Sequence, residues 1–400
     1  EAVPTMSEKI KLLWLSDSCF LPTGFRNQSI TILNEMTSRY GWECEYLCGN
    51  AYSGQTLPPG VKFRDGTVLN FAVHGTDGSP YSQRILQHKI KEVRPDVFGT
   101  LLDSFRLYPW FLNIDTTPAH TLFYYPSDGG GQLPMDCDKI LRKFQMPVAM
   151  SKFAQKQALD VHGIKSEYIP HAVFPERFFK YDEEKRKELR RKWGLGGKFV
   201  VGVVARHQPR KMLDITVRAF GIFAKKHQDA VLLMHVDPND PSGGFYLPAL
   251  IQRLGLQNRV LFTGMSVWNS WEDKDMADLY NLMDAFLLLS TGEGWGIPIT
   301  EAMACEVPCL VTDYTTTSEQ LLDGGACGFP VSLAAEITGG WVVDRAIADI
   351  NDAAGKLEAL YNDESLRSQF GKVGRRKVLD TYCWDVVMPM WKNVFDKMLE

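Results

Sequence analysis

Long apolar runs are absent from this sequence. No stretch reaches the roughly 20 apolar residues that a membrane-spanning helix requires, and the N-terminal residues lack the apolar core of a secretion signal. Residues 1–5, EAVPT, precede Met6, which would make a natural start, so we expect these five residues to be a cloning remnant. No transmembrane segment is predicted.

Cysteines at disulfide-framework or metal-site spacing are also absent. The eight cysteines include Cys44 and Cys48, and Cys305 and Cys309, which stand four positions apart and do not form a C-x-x-C motif. No histidine cluster accompanies them at zinc-site spacing. We therefore expect reduced, buried thiols and a cytoplasmic location, because disulfides are rare in reducing compartments.

The sequence has neither an excess of basic charge nor a dinucleotide-binding fingerprint. Its formal net charge is -4, whereas a broad nucleic-acid surface needs clustered Lys and Arg, so no nucleic-acid partner is expected. The dense charge run from Asp182 to Lys192 mixes both signs at helical spacing, which is typical of a solvated helix face. No G-x-G-x-x-G follows the first predicted strand, which argues against a dehydrogenase.

The 400 residues alternate short apolar runs with amphipathic segments, a pattern typical of parallel α/β units. Strands are predicted in the first half at Lys11–Ser16, Cys44–Cys48, Asp96–Leu101, Thr121–Tyr125 and Pro147–Met150. Helices are predicted between them at Gly24–Arg39, Tyr81–Val93 and Lys152–Val161. Strands are predicted in the second half at Lys198–Ala205, Ala230–His235, Arg259–Thr263, Ala285–Leu289 and Pro308–Thr312. Two such sets predict two doubly wound domains, with a ligand in the cleft between them, outside the carboxyl ends of the strands.

The boundary between the two domains is expected near Ile169–Phe174. The first domain is assigned residues 1–174 together with 385–400, and the second domain is assigned residues 175–384. The aromatic-rich amphipathic helix Trp384–Leu399 follows the last helix of the second domain. Its position suggests that the chain crosses back to the first domain.

The most informative segment is Ser290–Asp313, STGEGWGIPITEAMACEVPCLVTD. A buried strand runs into a glycine-rich turn and then into a helix opening at Pro298, a residue favoured at the first helical position. The N–H groups and dipole at such a helix start attract a diphosphate. Gly292, Gly294 and Gly296 would let the main chain approach that diphosphate closely.

Two carboxylates accompany this turn. Glu293 lies in the loop, and Glu301 is placed in the first turn of the helix, eight positions later. A carboxylate beside a diphosphate is electrostatically unfavourable, so both are expected to bind sugar or ribose hydroxyls. The alternatives are that Glu301 satisfies the helix N-terminus and that Glu293 is solvated.

The stretch EGWGIPITEAMACEVPCL resembles the E-x7-E signature of family 4 glycosyltransferases, retaining enzymes of the α/β GT-B fold with two Rossmann-like domains facing a cleft. It departs from the usual pattern at Trp295, where Phe is usual, and at Glu306, where a small residue is common. The resemblance implies that Glu293 contacts the donor sugar and that Glu301 contacts the ribose. It places the other donor-binding residues of this stretch at Gly294, Trp295, Gly296, Ile297 and Pro298.

A second stretch, VVGVVARHQPRK, resembles the R-x4-K pair of the same family through Arg206 and Lys211. Two cations at a strand end can neutralise two phosphates and stabilise charge on the departing nucleotide. Arg210 is an alternative to Arg206. Surface bases beside a strand end would be the simpler explanation if these residues stood alone.

The first half resembles the family less closely. In LSDSCFLPTGFR, Gly24 stands at a helix start that resembles the first glycine loop of the family, with one glycine where many relatives have two. In YYPSDGGG, Asp128 stands where relatives place a His or Asp close to the transferred sugar, and a turn aspartate is the alternative. His171 replaces a usual Asn and either approaches the cleft or is packed.

Two D-x-D triplets, Asp136–Asp138 and Asp273–Asp275, match a motif of metal-dependent transferases with a different fold. Neither ends a buried strand, so both are interpreted as solvated loop or helix-start aspartates. No metal and no cofactor other than the donor is therefore expected. Trp268, Trp271 and Trp295 are candidates for stacking on base or sugar, with core packing as the alternative.

Together with the resemblance, these features imply metal-independent, retaining transfer of a hexose from a nucleotide-diphosphate sugar, with GDP-mannose favoured over UDP-glucose and the base bound after Phe262–Gly264. Glu293, Asp128, Arg206 and Lys211 are the catalytic candidates. A sugar-nucleotide epimerase of the same fold and a non-catalytic nucleotide-sugar-binding protein are the alternatives. The acceptor, whether carbohydrate, protein or lipid-linked, is not identified. The aromatic segment Phe105–Phe111 either lines an acceptor groove or packs the first domain.

Overall fold

The structure of the protein is a computed structural model that describes residues 9–49, 54–63, 66–266 and 271–400. Residues 1–5, Met6 and Trp268, which the sequence singles out, lie outside the described residues. The same is true of part of the loop after Phe262–Gly264.

The first domain is built around one parallel sheet. Its elements are β1 (Lys11–Asp17), α1 (Gly24–Ser38), β2 (Glu43–Gly49), β3 (Val61–Lys62), β4 (Val68–Leu69), β5 (Ala72–His74), α2 (Leu86–Val93), β6 (Val97–Leu101), α3 (Ser104–Leu107), β7 (His120–Tyr125), α4 (Asp138–Lys143), β8 (Met146–Ala149), α5 (Lys152–His162) and β9 (Glu167–Tyr168). Seven strands pair in the order β5-β2-β1-β6-β7-β8-β9, and each neighbouring pair is parallel.

The second domain repeats this plan with six strands. Its elements are α6 (Glu183–Lys192), β10 (Phe199–Val204), α7 (Leu213–Ala224), β11 (Ala230–His235), α8 (Leu247–Arg253), β12 (Val260–Phe262), α9 (Asp273–Leu282), β13 (Ala285–Leu288), α10 (Ile297–Ala304), β14 (Cys309–Thr312), α11 (Thr316–Leu322), β15 (Gly328–Val331), β16 (Leu333–Thr338), β17 (Asp344–Ala348), α12 (Ile350–Asn362), α13 (Glu364–Thr381) and α14 (Trp384–Leu399). The parallel sheet has the order β12-β11-β10-β13-β14-β15. The prediction of two doubly wound domains is confirmed.

The ten predicted strands are all present, and their ends differ from the prediction by one residue at most. These strands could be predicted from their continuous apolar runs, because strands covered on both faces of a parallel sheet are apolar throughout. The helix predicted from Tyr81 begins only at Leu86, since Ser82 has a left-handed backbone with φ 57° that a helix cannot contain. The short edge strands β5, β9 and β15 were not predicted.

The last helix, α14, lies against the first domain. The indole of Trp391 meets that of Trp14 edge-on at 6.0 Å between ring centroids, and it meets the Tyr124 ring at 4.8 Å. All three side chains are buried. Burial of three large aromatic rings stabilises this docking, because such pairs add to the apolar area they remove from water.

Two surface features bear on the predictions. Helix α6 has no buried residue, and the Asp182 side chain caps it by accepting a hydrogen bond from the amide of Lys185, as expected for the solvated charge run. The antiparallel hairpin β16–β17 (residues 333–348) leaves the second sheet and bridges to Gly130 of the first domain.

Among the described residues, no helix combines the length and apolarity needed to cross a membrane.

Candidate active site

The glycine-rich turn and helix α10 lie at the carboxyl end of β13, beside β10. The strand order reverses between these two strands, and ligands bind at such a switch point in open α/β sheets. Helix α10 begins at Ile297, with Pro298 as its second residue and Gly296 as its N-cap in a left-handed conformation, φ 87°. Its free N–H groups therefore open toward the cleft.

The glycines of this turn allow the first domain to approach closely. A Cβ atom on Gly292 would lie 2.1 Å from the carbonyl oxygen of Asp128, and a Cβ atom on Gly294 would lie 2.6 Å from Cβ of Pro126. Contacts of that length are impossible for a side chain. The two glycines are therefore required by the contact between the domains, a reason that the sequence did not suggest.

The start of α1 faces the same turn from the first domain. A Cβ atom on Gly24 would lie 3.0 Å from Cδ1 of Ile297. The structure thus brings together two residues that were predicted from separate segments of the chain. Both lie at helix starts, where N–H groups are available to an anion.

Glu293 is the buried centre of the site, with only 3% of its surface exposed. Its carboxylate accepts hydrogen bonds from the ammonium of Lys211 and from Nη1 of Arg210, the latter at 3.1 Å. Burial alone would raise the pKa of Glu293, but the charges of Lys211 and Arg210 outweigh it and lower that pKa to about 2. Glu293 is therefore ionised and paired, and the solvated alternative does not describe it.

A single helical turn, Pro209–Lys211, positions the two cations after β10. The carbonyl of Arg210 accepts a hydrogen bond from the amide of Thr291 at 2.8 Å, which ties this turn to the glycine-rich turn. Burial lowers the pKa of Lys211 to about 8, and the neighbouring guanidinium acts in the same direction. One carboxylate and two cations leave a net positive charge where a diphosphate is expected.

Arg206 does not join this cluster. Its Nε lies 2.8 Å from the buried carboxylate of Asp240, and half of its side chain is exposed. The spacing-based pair of Arg206 with Lys211 is therefore not brought together around Glu293. Arg210, the alternative residue, occupies that position, because its place beside Lys211 in one helical turn directs both side chains to the same carboxylate.

Glu301 is the fifth residue of α10, so it lies beyond the first turn where the sequence placed it. Its carboxylate accepts a hydrogen bond of 2.6 Å from the hydroxyl of Tyr280, on α9. It therefore has a side-chain partner of its own and does not cap the helix. Burial raises the pKa of Glu301 to about 7.

Asp128, in the loop after β7, is bound by a residue of the second domain. Nη2 of Arg345, on β17, lies 3.0 Å from Oδ1 of Asp128, and Nη1 of the same guanidinium donates to the Asp128 carbonyl. One of these hydrogen bonds pairs the charge of the Asp128 carboxylate, and the other fixes the backbone that carries it. A plain turn aspartate would not need such a partner.

Asp103 is a further carboxylate at the same edge of the first sheet, immediately beyond the end of β6. Burial raises its pKa to about 7, and the charge of Asp128 acts in the same direction, with Arg106 opposing. A raised carboxyl pKa in a cleft is a feature of functional sites. The site thus contains a carboxyl group that was not predicted from the sequence.

Asp103, Tyr280 and Arg345 are the site residues that sequence reasoning missed. Asp103 could have been predicted from the sequence, since a carboxylate just after a buried strand lies at the ligand-binding edge of the sheet. Tyr280 and Arg345 had none, because their partners stand 21 and 217 residues away in the chain.

The aromatic and histidine candidates pack inside the protein. The indole N–H of Trp295 donates to Thr300 at 3.0 Å, and its side chain is buried, so its ring is not presented to a ligand. Trp271 meets His235 edge-on at 4.6 Å. His171 is buried beside Tyr124, and burial lowers its pKa to about 3. Core packing is the description that fits Trp295 and His171.

The D-x-D aspartates are paired with bases on the surface. Asp136 and Asp138 lie 2.5 Å from Lys139 and 3.4 Å from Arg142, respectively, and Asp273 opens helix α9. Within the described ranges, no three His, Cys, Asp or Glu side chains are grouped as a metal site would require.

Residues 185–377 match the sequence model of the family described as Glycosyl transferases group 1. The chain is similar to the mannosylfructose-phosphate synthase of Agrobacterium fabrum, with 28% identity over 182 residues, 43% of this chain and 38% of that protein. It is also similar to the GDP-mannose-dependent alpha-(1-6)-phosphatidylinositol monomannoside mannosyltransferase of Mycolicibacterium smegmatis, with 30% identity over 228 residues, 54% of this chain and 53% of that protein. The chain therefore spans about half, or less, of the length of these relatives.

Solved structures resemble almost the whole chain. Sucrose-phosphate synthase from Thermosynechococcus elongatus superposes with a TM-score of 0.75 at 15% identity, covering 98% of this chain and 99% of that one. The Anabaena protein HepE, solved with UDP-glucose, superposes with a TM-score of 0.72 at 16% identity, covering 97% of this chain and 100% of that one. At such low identities the likeness concerns the fold.

Proposed function

We propose that the chain transfers a hexose from a nucleotide-diphosphate sugar to an acceptor, because residues 185–377 match the glycosyl transferases group 1 family model and the fold is GT-B. The observation that carries this proposal is the buried Glu293 held by Arg210 and Lys211 beside the start of α10. A carboxylate that can bind the sugar and two cations that can bind the phosphates therefore lie together where the strand order reverses.

The donor diphosphate is proposed to bind at the N-terminus of α10, next to Lys211 and Arg210. Helix N–H groups and two cations together stabilise the two phosphates and the charge that develops on the departing nucleotide. The ribose hydroxyls would donate to Glu301, whose carboxylate is oriented by Tyr280. With cations of the chain at the diphosphate, we propose that transfer needs no metal ion.

We propose retention of the anomeric configuration by a front-face reaction. The bond between the anomeric carbon and the phosphate oxygen breaks, and the acceptor oxygen bonds to that carbon on the same face. The acceptor proton passes to the departing phosphate oxygen. Glu293 supports this route, because a carboxylate with a pKa of about 2 and two bound cations is a poor proton carrier and a poor nucleophile.

GDP-mannose is the proposed donor, with UDP-glucose as the alternative. The Mycolicibacterium relative is named as GDP-mannose-dependent, whereas the Anabaena structure contains UDP-glucose. A cytoplasmic location is proposed from the eight free, buried cysteines, the form that a reducing compartment maintains. The acceptor class is considered separately below.

The experiment is a panel of nucleotide sugars incubated with the protein, with and without candidate acceptors. A transferase releases nucleoside diphosphate faster when an acceptor is present, and its product shows whether the configuration is retained. Release of an altered nucleotide sugar without an acceptor would instead identify an epimerase, and donor binding without turnover a binding protein. Activity that EDTA abolishes and Mn²⁺ or Mg²⁺ restores would contradict metal independence.

A further inference from the structure

The hairpin β16–β17 is part of the second domain but is joined to the first. Two backbone hydrogen bonds pair Gly130 with Asp344, at 2.9 and 3.2 Å, and the amide of Met135 donates to the carbonyl of Trp341 at 2.8 Å. These bonds lie at the tip of the hairpin and at Asp344, the first residue of β17. The hairpin therefore forms a wall of the cleft on the side of the first domain.

The glycine run of the YYPSDGGG motif is explained by this hairpin. A Cβ atom on Gly129 would lie 2.9 Å from the carbonyl oxygen of Asp344, and one on Gly131 would lie 2.5 Å from its Oδ2. A Cβ atom on Gly130 would lie 2.2 Å from the hydroxyl oxygen of Tyr314. Three consecutive glycines are thus needed for the second domain to lie this close.

The tip of the hairpin holds an exposed aromatic ring in a strained backbone. Trp341 and Val342 have φ values of 60° and 56°, a left-handed conformation that is unfavourable for both, and most of all for a β-branched residue. The indole of Trp341 stacks on the ring of Phe105 at 5.7 Å, yet 43% of Trp341 remains exposed. Strain that persists at an exposed tryptophan suggests a binding role.

The same hairpin reaches the reaction centre through Arg345, which holds Asp128. Trp341 stands four positions before Arg345, so the exposed ring and the guanidinium that holds Asp128 belong to the same short segment of the hairpin. A ligand that reaches both Trp341 and Asp128 therefore makes two separate contacts with this wall. The aromatic segment of the first domain is brought into the same wall by Phe105.

The charges along the wall disfavour an anionic ligand. Asp128 and Asp344 lie on the first domain's side of the cleft and on the hairpin facing it, together with Asp103, whose pKa burial raises to about 7. The guanidinium of Arg345 is paired with Asp128, and Arg106 adds an opposing charge beside Asp103. Carboxylates accept hydrogen bonds from hydroxyls, and an aromatic face packs against the apolar face of a sugar ring. A neutral saccharide satisfies both features.

We propose that the hairpin β16–β17 forms an acceptor subsite for a neutral oligosaccharide, with the exposed face of Trp341 as its stacking platform. This inference rests on the proposed function, and it narrows the acceptor from three classes to one. The other occupant considered for the exposed tip is a lipid surface. The hairpin also exposes Ile337 and Val342. Its acidic residues Glu336 and Asp344 nevertheless argue against contact with an anionic membrane.

The test compares mannotriose, maltotriose and chitotriose with their monosaccharides as acceptors for the wild-type protein. At least one trisaccharide is expected to be the better acceptor. The Trp341→Ala variant should raise the KM for that trisaccharide about tenfold, the loss expected for one aromatic contact, and change the donor KM less than twofold. Trp341→Phe should restore most of the affinity. Trp193→Ala, which removes an exposed tryptophan from the end of α6, is the matched control and should change neither constant.

Two outcomes would overturn the inference. One is an unchanged trisaccharide KM in Trp341→Ala. The other is a wild-type enzyme that no trisaccharide stimulates but that uses a lipid-linked acceptor and loses vesicle binding in Trp341→Ala. Calorimetric titration of mannotriose, maltotriose and chitotriose, with nucleoside diphosphate present, keeps the inference separate from catalysis. A wild-type protein that binds one of these trisaccharides through Trp341 but turns over no donor would refute only the proposed function. A protein that binds none of the three would refute the inference.

Discussion

Arg345 and Asp128 stand 217 positions apart in the chain and are joined by a charge-assisted hydrogen bond of 3.0 Å across the cleft. The guanidinium belongs to the hairpin of the second domain, and the carboxylate belongs to the first domain. A catalytic candidate in one domain is thus oriented by the other. Its geometry therefore depends on how the two domains are docked.

Arg345→Gln is expected to lower kcat by about 10- to 100-fold, because losing a hydrogen bond to a charged group costs about 1.5–3 kcal/mol. Binding of nucleoside diphosphate should change little, since its proposed site at the start of α10 includes neither Arg345 nor Asp128. Arg345→Lys should recover part of the activity by restoring the charge. Arg177→Gln, which breaks the exposed pair with Asp273, is the control. Equal losses in kcat and nucleotide affinity would contradict a positioning role.

Gly130→Ala should force the first-domain loop that holds Gly130 away from Tyr314, since the added Cβ would lie 2.2 Å from the hydroxyl oxygen of Tyr314, and so weaken the neighbouring contact with the hairpin. Overpacking of this kind costs about 1–3 kcal/mol, so we expect a lower Tm and faster proteolysis of the hairpin. Adding Tyr314→Phe should relieve part of the loss, because the next atom of that ring lies at 3.0 Å. Gly196→Ala, where nothing lies within 4 Å, is the control. No rescue by Tyr314→Phe would show that this contact is not the cause.

Lys211→Ala should weaken nucleoside-diphosphate binding by about 1.5–3 kcal/mol and nucleoside binding much less, because only the former has phosphates for the lost cation. Calorimetry with both ligands on one variant cancels any general damage to the fold. Arg206→Ala is the comparison. Its side chain is half exposed and paired with Asp240, so its loss is expected to be smaller than that of Arg210→Ala. A larger loss of nucleoside-diphosphate affinity in Arg206→Ala than in Arg210→Ala would instead support the pair of Arg206 and Lys211 that the sequence spacing suggests.

Replacing Glu293 should change a different kinetic constant from replacing Glu301. Glu293→Gln keeps the shape of the side chain but removes the charge facing the sugar, where positive charge develops, so kcat should fall about 100-fold, or about 2.7 kcal/mol. Glu301→Ala removes a contact present in substrate and product alike, so donor KM and nucleotide affinity should worsen together. Steady-state kinetics and nucleotide titrations on both variants test this. Loss of nucleotide affinity with intact kcat in Glu293→Gln would reverse the assigned roles.

Glu301 should also make stability depend on pH. Its folded-state pKa is raised to about 7 by burial, above its ordinary value of about 4.3. The native state therefore holds a proton that the unfolded state releases, so this contribution to stability falls as pH rises from about 4.3 through 7. Glu301→Gln removes the effect, and the variant should gain Tm relative to wild type between pH 5 and pH 8. The exposed Glu176→Gln should show no such trend. A constant difference in Tm would mean that Glu301 is ionised throughout.

Most of the fold could be predicted because its signals are local. Each central strand is a continuous apolar run, and the strand–turn–helix at Ser290–Asp313 combines a buried strand, spaced glycines and Pro298 within a short segment. The edge strands β5, β9 and β15 escaped because they have two to four residues each and lack such a run. The hairpin was not predicted because β16 is largely exposed and β17 has only two buried residues, so neither strand is a continuous apolar run.

The sequence by itself determined two α/β domains, a helix start at the carboxyl end of β13, and the candidates for the donor site. Local apolar patterns and turn chemistry carry that information. Only the tertiary structure decided which partners meet. Arg210 pairs with Glu293 whereas Arg206 pairs with Asp240, Trp295 packs inside, and Asp128 is held by Arg345. The physical reason is that charge pairing and burial depend on distances between residues far apart in the chain, and those distances exist only once the two domains are docked.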